Sequence, residues 1–386
     1  MEKAQAVSFL PAKKKEINYQ FKLLYAIGII NVLIAHSHSE QIALWNELIH
    51  VAGYTIALFV FGSGYFYSSK NDTAPFKYIY KKFTRLIIPL YAWNLFYAVL
   101  VICLSRFGVT IGAPVTFHKL FLSPLYSPCL LGYNDPAWFL VPLFVTECYN
   151  VLLRRLTVKI AGFKTDLIML IFNLILGFLG VAISIKSPSS GWQLFFTRFM
   201  YFAPFYSIGY FYKTYLEKKD TFSSFWYFMI IIVIELLLIL INGHTSSYSI
   251  VAMDPKFFEN PFLPFFSGLL GIAFWLRIAR IFTPVIGRSK LINTIANNTF
   301  PIMMNHILGF MILKLFYMLL SSLFDFLPEF DIEQFKVDVF YFYVPRGRGF
   351  PLLYVVAGII VPIGIQRILN FVKKIYTVEN RGVRHE

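Results

Sequence analysis

Long apolar stretches, separated by shorter polar and basic segments, recur from one end of the chain to the other. About 20 consecutive apolar residues suffice for a helix to cross the hydrocarbon core of a bilayer. Ten stretches of this kind predict membrane-spanning helices, at residues 19–37, 48–67, 86–104, 137–153, 167–185, 196–212, 225–242, 262–279, 299–321 and 350–371. The pattern therefore predicts an all-α, polytopic membrane protein.

The distribution of Lys and Arg orients the predicted helices, because loops on the cytoplasmic side of a membrane are enriched in these residues. If the N-terminus is cytoplasmic, 26 of the 35 Lys and Arg residues fall on cytoplasmic segments and eight on the opposite side. We therefore expect both termini in the cytoplasm, as tails of residues 1–18 and 372–386. A single transmembrane domain is expected at residues 19–371. The first helix lacks a small-residue cleavage site and is expected to be retained.

Composition narrows the class of protein further. Of the 386 residues, 58% are hydrophobic and 14% are charged, and the mean hydropathy is +0.63. A net charge of +15 would suit nucleic acid in a soluble protein. Here the excess lies in predicted cytoplasmic loops, so we expect no nucleic-acid partner. Cys103, Cys129 and Cys148 lack metal-binding spacing, and no acidic cluster predicts a metal.

The first predicted helix carries polar groups that a simple anchor does not need. Tyr25 and His36 are eleven residues apart, close to three helical turns, so they share a face about 16 Å apart along the axis. Lys22 falls on nearly the same face at the cytoplasmic end. An ionisable residue at membrane depth indicates function by default. The alternative is that Lys22 reaches the interface and His36 is an interhelical hydrogen-bond partner.

Further polar groups lie in or next to the second, third and fourth predicted helices. Ser63 lies between two glycines that permit close helix packing. Arg85 precedes the third helix on the cytoplasmic side, where it either binds a phosphate or follows the charge rule for loops. Trp138 marks the outer edge of the fourth helix. Glu147 lies deeper in that helix and must face a partner or a cavity.

The ninth predicted helix contains two more candidates, Asn305 and His306. The amide of Asn305 can satisfy backbone groups that Pro301 frees. The sequence has no P-loop, no Gly-x-Ser-x-Gly elbow and no His-Glu-x-x-His, which disfavours triad hydrolysis and metal chemistry. What remains is a histidine with intramembrane polar partners, a combination suited to proton transfer.

Three classes of protein fit such a chain: an enzyme, a transporter or flippase, and a non-enzymatic sensor or scaffold. A transporter would show inverted repeats and paired broken helices, which the sequence lacks. A proton-coupled transporter or flippase of a glycan or small solute is the main alternative to an enzyme.

Six stretches carry a family resemblance: AIGIINVLIAHS (26–37), LFVFGSGYF (58–66), KKFTRLIIPLYAW (81–93), AWFLVPLFV (137–145), FYSIGYF (205–211) and IGRSKLINTIANNTFPIMMNH (286–306). In this order they resemble the acyltransferase-3 family of integral membrane O-acyltransferases. The matching stretches spread across nearly the whole chain. The histidine in the outer part of the first helix, His36, is the most specific element.

The resemblance implies a multi-pass enzyme of the cell membrane, plasma or inner. Such an enzyme moves an acyl group, usually acetyl, from cytoplasmic acyl-CoA to a hydroxyl of an envelope glycan, an exported polysaccharide or a lipid-linked sugar. His36 matches the family's essential histidine. The family has Arg or Lys eleven positions earlier, where this chain has Tyr25, and Lys22 one turn below is expected to substitute. Arg85 matches a recurrent arginine before the third helix.

The resemblance and the polar groups together suggest a mechanism. Acyl-CoA docks its phosphates near Arg85 and Lys22, with Tyr25 along the path inward. The thioester reaches His36, which acts as general base on the hydroxyl or briefly carries the acyl group, while Glu147 or another carboxylate orients the imidazole. Acyl-CoA is a substrate, and neither a permanent cofactor nor a metal is expected. The supporting residues are Ser63, Trp138, Asn305 and His306.

Overall fold

The computed structural model describes residues 16–37, 44–187, 190–242, 262–345 and 351–382, and every regular element in these ranges is helical. This confirms the predicted all-α class. The α-helices in these ranges are α1 (Tyr19–His36), α2 (Val51–Tyr65), α3 (Pro75–Lys82), α4 (Ile88–Ser105), α5 (Ser123–Tyr126), α6 (Leu140–Ala161), α7 (Thr165–Lys186), α8 (Gly191–Phe211), α9 (Ser224–Asn242), α10 (Leu263–Ile286), α11 (Lys290–Asn297), α12 (Thr299–Leu323), α13 (Ile332–Val337) and α14 (Pro351–Gly382).

Eight helical segments in the described ranges are long and apolar enough to cross a membrane, which makes the chain a multi-pass membrane protein. The predicted spans at 48–67 and 196–212 correspond to α2 and α8, which are not among these eight. Helix α2 has 15 residues, and α8 carries Gln193 and Arg198. Helix α2 is thus too short for a span of this kind, and Arg198 of α8 is buried, so protein rather than lipid surrounds this charge.

The crossing of α2 and α8 depends on glycine. A Cβ atom at Gly64 would overlap the backbone carbonyl oxygen of Tyr206, and one at Gly209 would overlap that of Phe61. Small residues let helix backbones approach closely in this way. The structure thus confirms the close packing that the small residues at this end of α2 predict.

Helix α11 determines how far along α1 the next helix, α12, begins. The Arg288 guanidinium lies 5.8 Å from the ring centre of Tyr19, so the chain enters α11 beside the start of α1. Helix α11 then packs along α1 for eight residues, about 12 Å, before α12 begins. As a result His306, early in α12, lies opposite His36 at the end of α1, and the later turns of α12 extend past that point.

Two segments, residues 106–135 and 331–345, cover the bundle at the His36 end of α1. The Thr110 backbone N–H donates to the carbonyl oxygen of Lys336 at 2.8 Å and so joins them. The second segment is tied to α12 by the buried Lys314, whose ammonium donates to the carbonyl oxygen of Val339 at 2.8 Å. These bonds fix both segments to the helices beneath them, on the side predicted to face away from the cytoplasm.

The glycine crossing yields a stability prediction. Gly64→Ala should destabilise the protein by about 1–3 kcal/mol, the typical cost of overpacking a filled interior, because the added methyl meets a backbone carbonyl that cannot turn aside. Gly364→Ala is the matched control, since no atom lies within 4 Å of a Cβ there. Thermal unfolding of the two variants in detergent measures the difference. Equal unfolding temperatures would contradict the crossing.

Candidate functional site

Two histidines from opposite ends of the chain meet inside the bundle. The Nδ1 atom of His36 lies 2.9 Å from Nε2 of His306, and the ring planes lie within 6° of each other with centres 5.0 Å apart. His306 is fully buried, whereas His36 is half-buried at the end of α1. The two residues are 270 positions apart in the sequence, so α11 and α12 bring the second histidine to the first.

The surroundings of His306 determine which nitrogens carry hydrogen. Its Nδ1 atom lies 3.0 Å from the carbonyl oxygens of both Ile302 and Met303. Carbonyl oxygens only accept hydrogen bonds, so Nδ1 of His306 is the donor and its Nε2 carries the lone pair. Nε2 then accepts from Nδ1–H of His36. In a neutral His36 the basic lone pair is therefore on Nε2.

Asn305, the neighbour of His306, anchors α12 to α4. Its side-chain oxygen accepts a hydrogen bond from the Tyr97 hydroxyl at 2.7 Å, and its amide donates to the carbonyl oxygen of Pro301 at 3.0 Å. The second bond reaches the carbonyl oxygen of Pro301 itself, one turn before Asn305. Both side chains are fully buried, so this pair fixes the rotation of α12 next to His306.

A glycine lets α14 press against His306. A Cβ atom at Gly358 would lie 3.3 Å from Cβ of His306 and 2.7 Å from the ring of Phe310. Any larger residue would therefore displace the imidazole or its neighbour. The fixed position of His306 in turn fixes the direction of the hydrogen bond to His36, as a third group does for the base in catalytic triads.

Glu147 does not orient His36, contrary to the mechanism expected from sequence. Its buried carboxylate accepts a hydrogen bond from the Lys82 ammonium at 2.6 Å, and its second oxygen has no described hydrogen-bond partner. A lysine salt bridge is how a carboxylate at this depth is neutralised, and His306 takes the place next to His36.

Tyr25 and Lys22 lie nearer than His36 to the N-terminal end of α1 and do not contact it. The Tyr25 ring stacks on Phe59 with centres 5.7 Å apart, and its hydroxyl fills the space above Gly62. The Lys22 ammonium is half-buried and lies 6.0 Å from the ring centre of Tyr19. The two residues thus lie in the half of α1 that is predicted to be cytoplasmic.

Arg85 is exposed in a π-helical turn, Phe83–Ile87, that links α3 to α4. Two further exposed cations, Lys77 and Lys81, precede it at intervals of four residues. Side chains four apart share one face of a helix, so the three cations form a basic face on α3. The sequence singled out Arg85 through its match to the recurrent arginine before the third helix, whereas the two lysines had only the charge rule for cytoplasmic loops to explain them.

Trp138 and Ser63 lie apart from the histidines. Trp138 is buried, and the Arg198 guanidinium stacks 4.2 Å from its ring centre while donating to the Ser127 carbonyl oxygen at 3.2 Å. Trp138 is therefore part of the support for the outer cover rather than a lipid-facing belt residue. Ser63 is half-buried on α2 between Gly62 and Gly64.

Comparison with known families identifies the chain. A family model described as an acyltransferase domain matches residues 18–371, nearly the whole transmembrane region. The chain belongs to this acyltransferase family. No curated protein and no solved structure matches it.

Membership in the acyltransferase family gives the histidine pair a chemical context. Within the described ranges, no group of three or more His, Cys, Asp or Glu side chains is arranged to hold a metal ion. The acyltransferase offers instead an imidazole whose tautomer is set by a second imidazole and two backbone carbonyls. An oriented imidazole of this type can accept a proton from a hydroxyl or attack a carbonyl carbon through Nε2.

The hydrogen-bond order predicts the effect of changing His306. His306→Ala should lower the turnover of acyl transfer by about 10- to 100-fold, the usual cost of removing the group that orients a histidine in a metal site. His306→Gln should retain more activity, because a side-chain amide oxygen can accept from His36. Initial rates with radiolabelled acyl-CoA in membranes measure both variants. Equal losses would show that His306 only fills space.

Proposed function

We propose that this membrane acyltransferase moves an acyl group, normally acetyl, from cytoplasmic acyl-CoA to a hydroxyl of a cell-envelope or exported polysaccharide. The His36–His306 pair is the observation that carries the proposal. Family membership supports acyl transfer, and the pair supplies a buried imidazole with a defined basic nitrogen. Its position at the end of α1 predicted to face away from the cytoplasm suits an acceptor on that side.

His36 is the proposed catalytic residue. The acceptor hydroxyl oxygen forms a bond to the thioester carbonyl carbon while Nε2 of His36 takes the hydroxyl proton. The carbon–sulfur bond then breaks, and the coenzyme A thiolate takes the proton back from His36. If the imidazole carries the acyl group instead, the same Nε2 attacks the thioester carbonyl carbon, the carbon–sulfur bond breaks and the thiolate leaves. The hydroxyl then attacks the acyl carbon, the bond to Nε2 breaks, and the hydroxyl proton passes through the freed Nε2 to the thiolate. Either course requires the tautomer that His306 supports.

The basic face of α3 is the proposed docking site for the donor's phosphates. Lys77, Lys81 and Arg85 are exposed on the side predicted to be cytoplasmic, and cations on one helix face suit the phosphates of coenzyme A. Lys22 at the start of α1 adds a fourth cation on that side. The acyl-bearing arm would enter the bundle past Tyr25 and reach His36.

Glu147 is proposed as a positioning residue. Its salt bridge to Lys82 joins α6 to the last turn of α3, which carries the basic face. Glu147 is almost completely buried and Lys82 is about a quarter exposed. The pair therefore lies on the side of α3 that packs against α6, while the opposite side of α3 meets solvent. This arrangement holds the donor's docking face against α6.

Substitution of the catalytic histidine tests the proposed function. His36→Ala should lower O-acetylation of the envelope glycans at least about 100-fold, because proton transfer by a positioned side chain typically supplies about 10²–10⁴ in rate. The O-acetyl content of isolated glycans is compared among cells with the wild-type gene, the variant and no gene. Immunodetection in membranes checks that the variant is present in normal amount. Undiminished acetylation in the variant would refute the role of His36.

The donor face generates a second kinetic prediction. Joint Lys77→Ala, Lys81→Ala and Arg85→Ala changes should raise KM for acyl-CoA about tenfold or more, with kcat changed far less, since binding without a gain in the transition state acts on KM. Lys218→Ala with Lys219→Ala is the control, because both are exposed cations on the same predicted side. Steady-state rates over a range of acyl-CoA concentrations give KM and kcat for both sets of variants. An equal rise in KM in the control would show that general surface charge is responsible.

A further inference from the structure

A cavity of ≈ 570 Å³ lies within the outer cover, between the segments 110–135 and 337–339. We propose that this cavity binds the acceptor, and that the bound part of the acceptor is an uncharged, hydroxyl-rich oligosaccharide. The inference rests on the proposed function and adds the place and chemical class of its second substrate. Sites for small ligands commonly enclose about 300–1,000 Å³, so the cavity suits a short sugar segment.

The walls of the cavity are fixed to the bundle. The bond from Thr110 to Lys336 joins the two wall segments, and Lys314 holds Val339 to α12. A pocket whose walls are held by hydrogen bonds needs little rearrangement on binding, which favours affinity.

Side chains of α4 connect the cavity to the catalytic pair. The amide of Asn94 donates to the carbonyl oxygen of Leu120 at 2.6 Å, and Asn134 donates to the Asn94 oxygen at 2.9 Å. One turn further along α4, the Tyr97 hydroxyl bonds to Asn305, the neighbour of His306. The cavity wall therefore rests on the same helix face that positions the histidine pair. This arrangement is expected if a hydroxyl bound in the cavity is to be acylated at the histidine pair.

Two charged side chains of the lining, Lys119 and Asp135, already form hydrogen bonds with the protein backbone. The Lys119 ammonium donates to the Gly112 carbonyl oxygen at 2.9 Å. One oxygen of Asp135 accepts from the backbone N–H groups of Leu130 and Gly132 at 2.6 and 2.9 Å. With Asp338 also in the lining, the cavity is lined by two carboxylates and by one ammonium that already has a hydrogen-bond partner. A polyanionic acceptor such as a phosphate polymer would be repelled, whereas a neutral one would not.

The remaining polar lining consists of groups that match sugar hydroxyls. The Ser123 hydroxyl lies 3.2 Å from Nδ1 of His118, and Nε2 of His118 lies 2.7 Å from the Tyr126 hydroxyl. Thr110 and Ser127 add two more hydroxyls. Hydroxyl and imidazole groups both donate and accept, and such neutral groups give orientation and specificity to a polyhydroxylated ligand.

Cys129 lines the cavity and is exposed, so it can report occupancy. A variant with Cys103→Ser and Cys148→Ser is treated with a membrane-impermeant maleimide in right-side-out and inverted vesicles. Burial and Asp135 raise the pKa of the Cys129 thiol, so the reaction is run above neutral pH, where more thiolate is present. We expect labelling in right-side-out vesicles alone. Neutral oligosaccharides released from the cells' own envelope should slow it at least tenfold, and the anionic fraction should not.

Ile332 provides the matched control. It is about half exposed on α13 and does not line the cavity. An Ile332→Cys variant without the three native cysteines should be labelled from the same side and should not be protected by either fraction. If this site is labelled and Cys129 is not, the cavity does not open outward. Protection of Cys129 by the anionic fraction, by neither fraction, or equally with the control site would overturn the proposal.

A cavity-filling variant separates this proposal from the catalytic one. Val337 lines the cavity and is exposed, so Val337→Trp narrows it without disturbing the core. The concentration of neutral oligosaccharide that halves labelling should rise about tenfold, equivalent to losing one or two hydrogen bonds, and Ile332→Trp should leave it unchanged. His36→Ala should keep full protection, since it removes transfer and not binding. An equal effect of the two tryptophan variants would overturn the assignment of the cavity.

Discussion

Hydrocarbon offers no water, so a polar group buried in this bundle must find its hydrogen-bond partner within the protein. The histidine pair shows how the chain meets this constraint. Backbone carbonyls in the first turns of α12 accept from His306, and His306 accepts from His36. Each step follows from the one before it, so the state of the half-buried His36 depends on two carbonyl groups in another helix.

The same constraint explains the packing around the pair. Glycines at the α2–α8 and α12–α14 crossings bring backbones close enough to exclude lipid from the polar groups. The position of α12 along α1 is equally important. Because α11 first runs along α1 from the Tyr19 end, the early turns of α12 face His36 and its later turns carry the outer cover. One short helix thus determines where the histidines meet.

Helix positions could be predicted from sequence because the length of an apolar run is a local property. His36 could also be identified, since its spacing to Tyr25 and Lys22 lies within one helix. His306 was also a candidate, but its pairing with His36 could not be predicted, because the two residues are 270 positions apart and α11 determines where His306 lies along α1. The expected Glu147–His36 contact was wrong for a similar reason: the sequence assigns Lys82 to a loop charge, whereas the turn of α3 places it on Glu147.

The choice of an imidazole as the partner of His36 has a physical reason. A carboxylate in that position would bring a full negative charge into a region where an unpaired charge costs several kcal/mol or more. Glu147 illustrates the requirement, since its charge is matched by a lysine at 2.6 Å. A neutral imidazole can instead be satisfied by carbonyl groups that its own helix supplies. The pair therefore orients a base without a counter-ion. In the proposed transfer, the proton taken from the hydroxyl gives His36 a positive charge opposite the negative charge of the tetrahedral adduct, and the departing thiolate removes both by taking the proton.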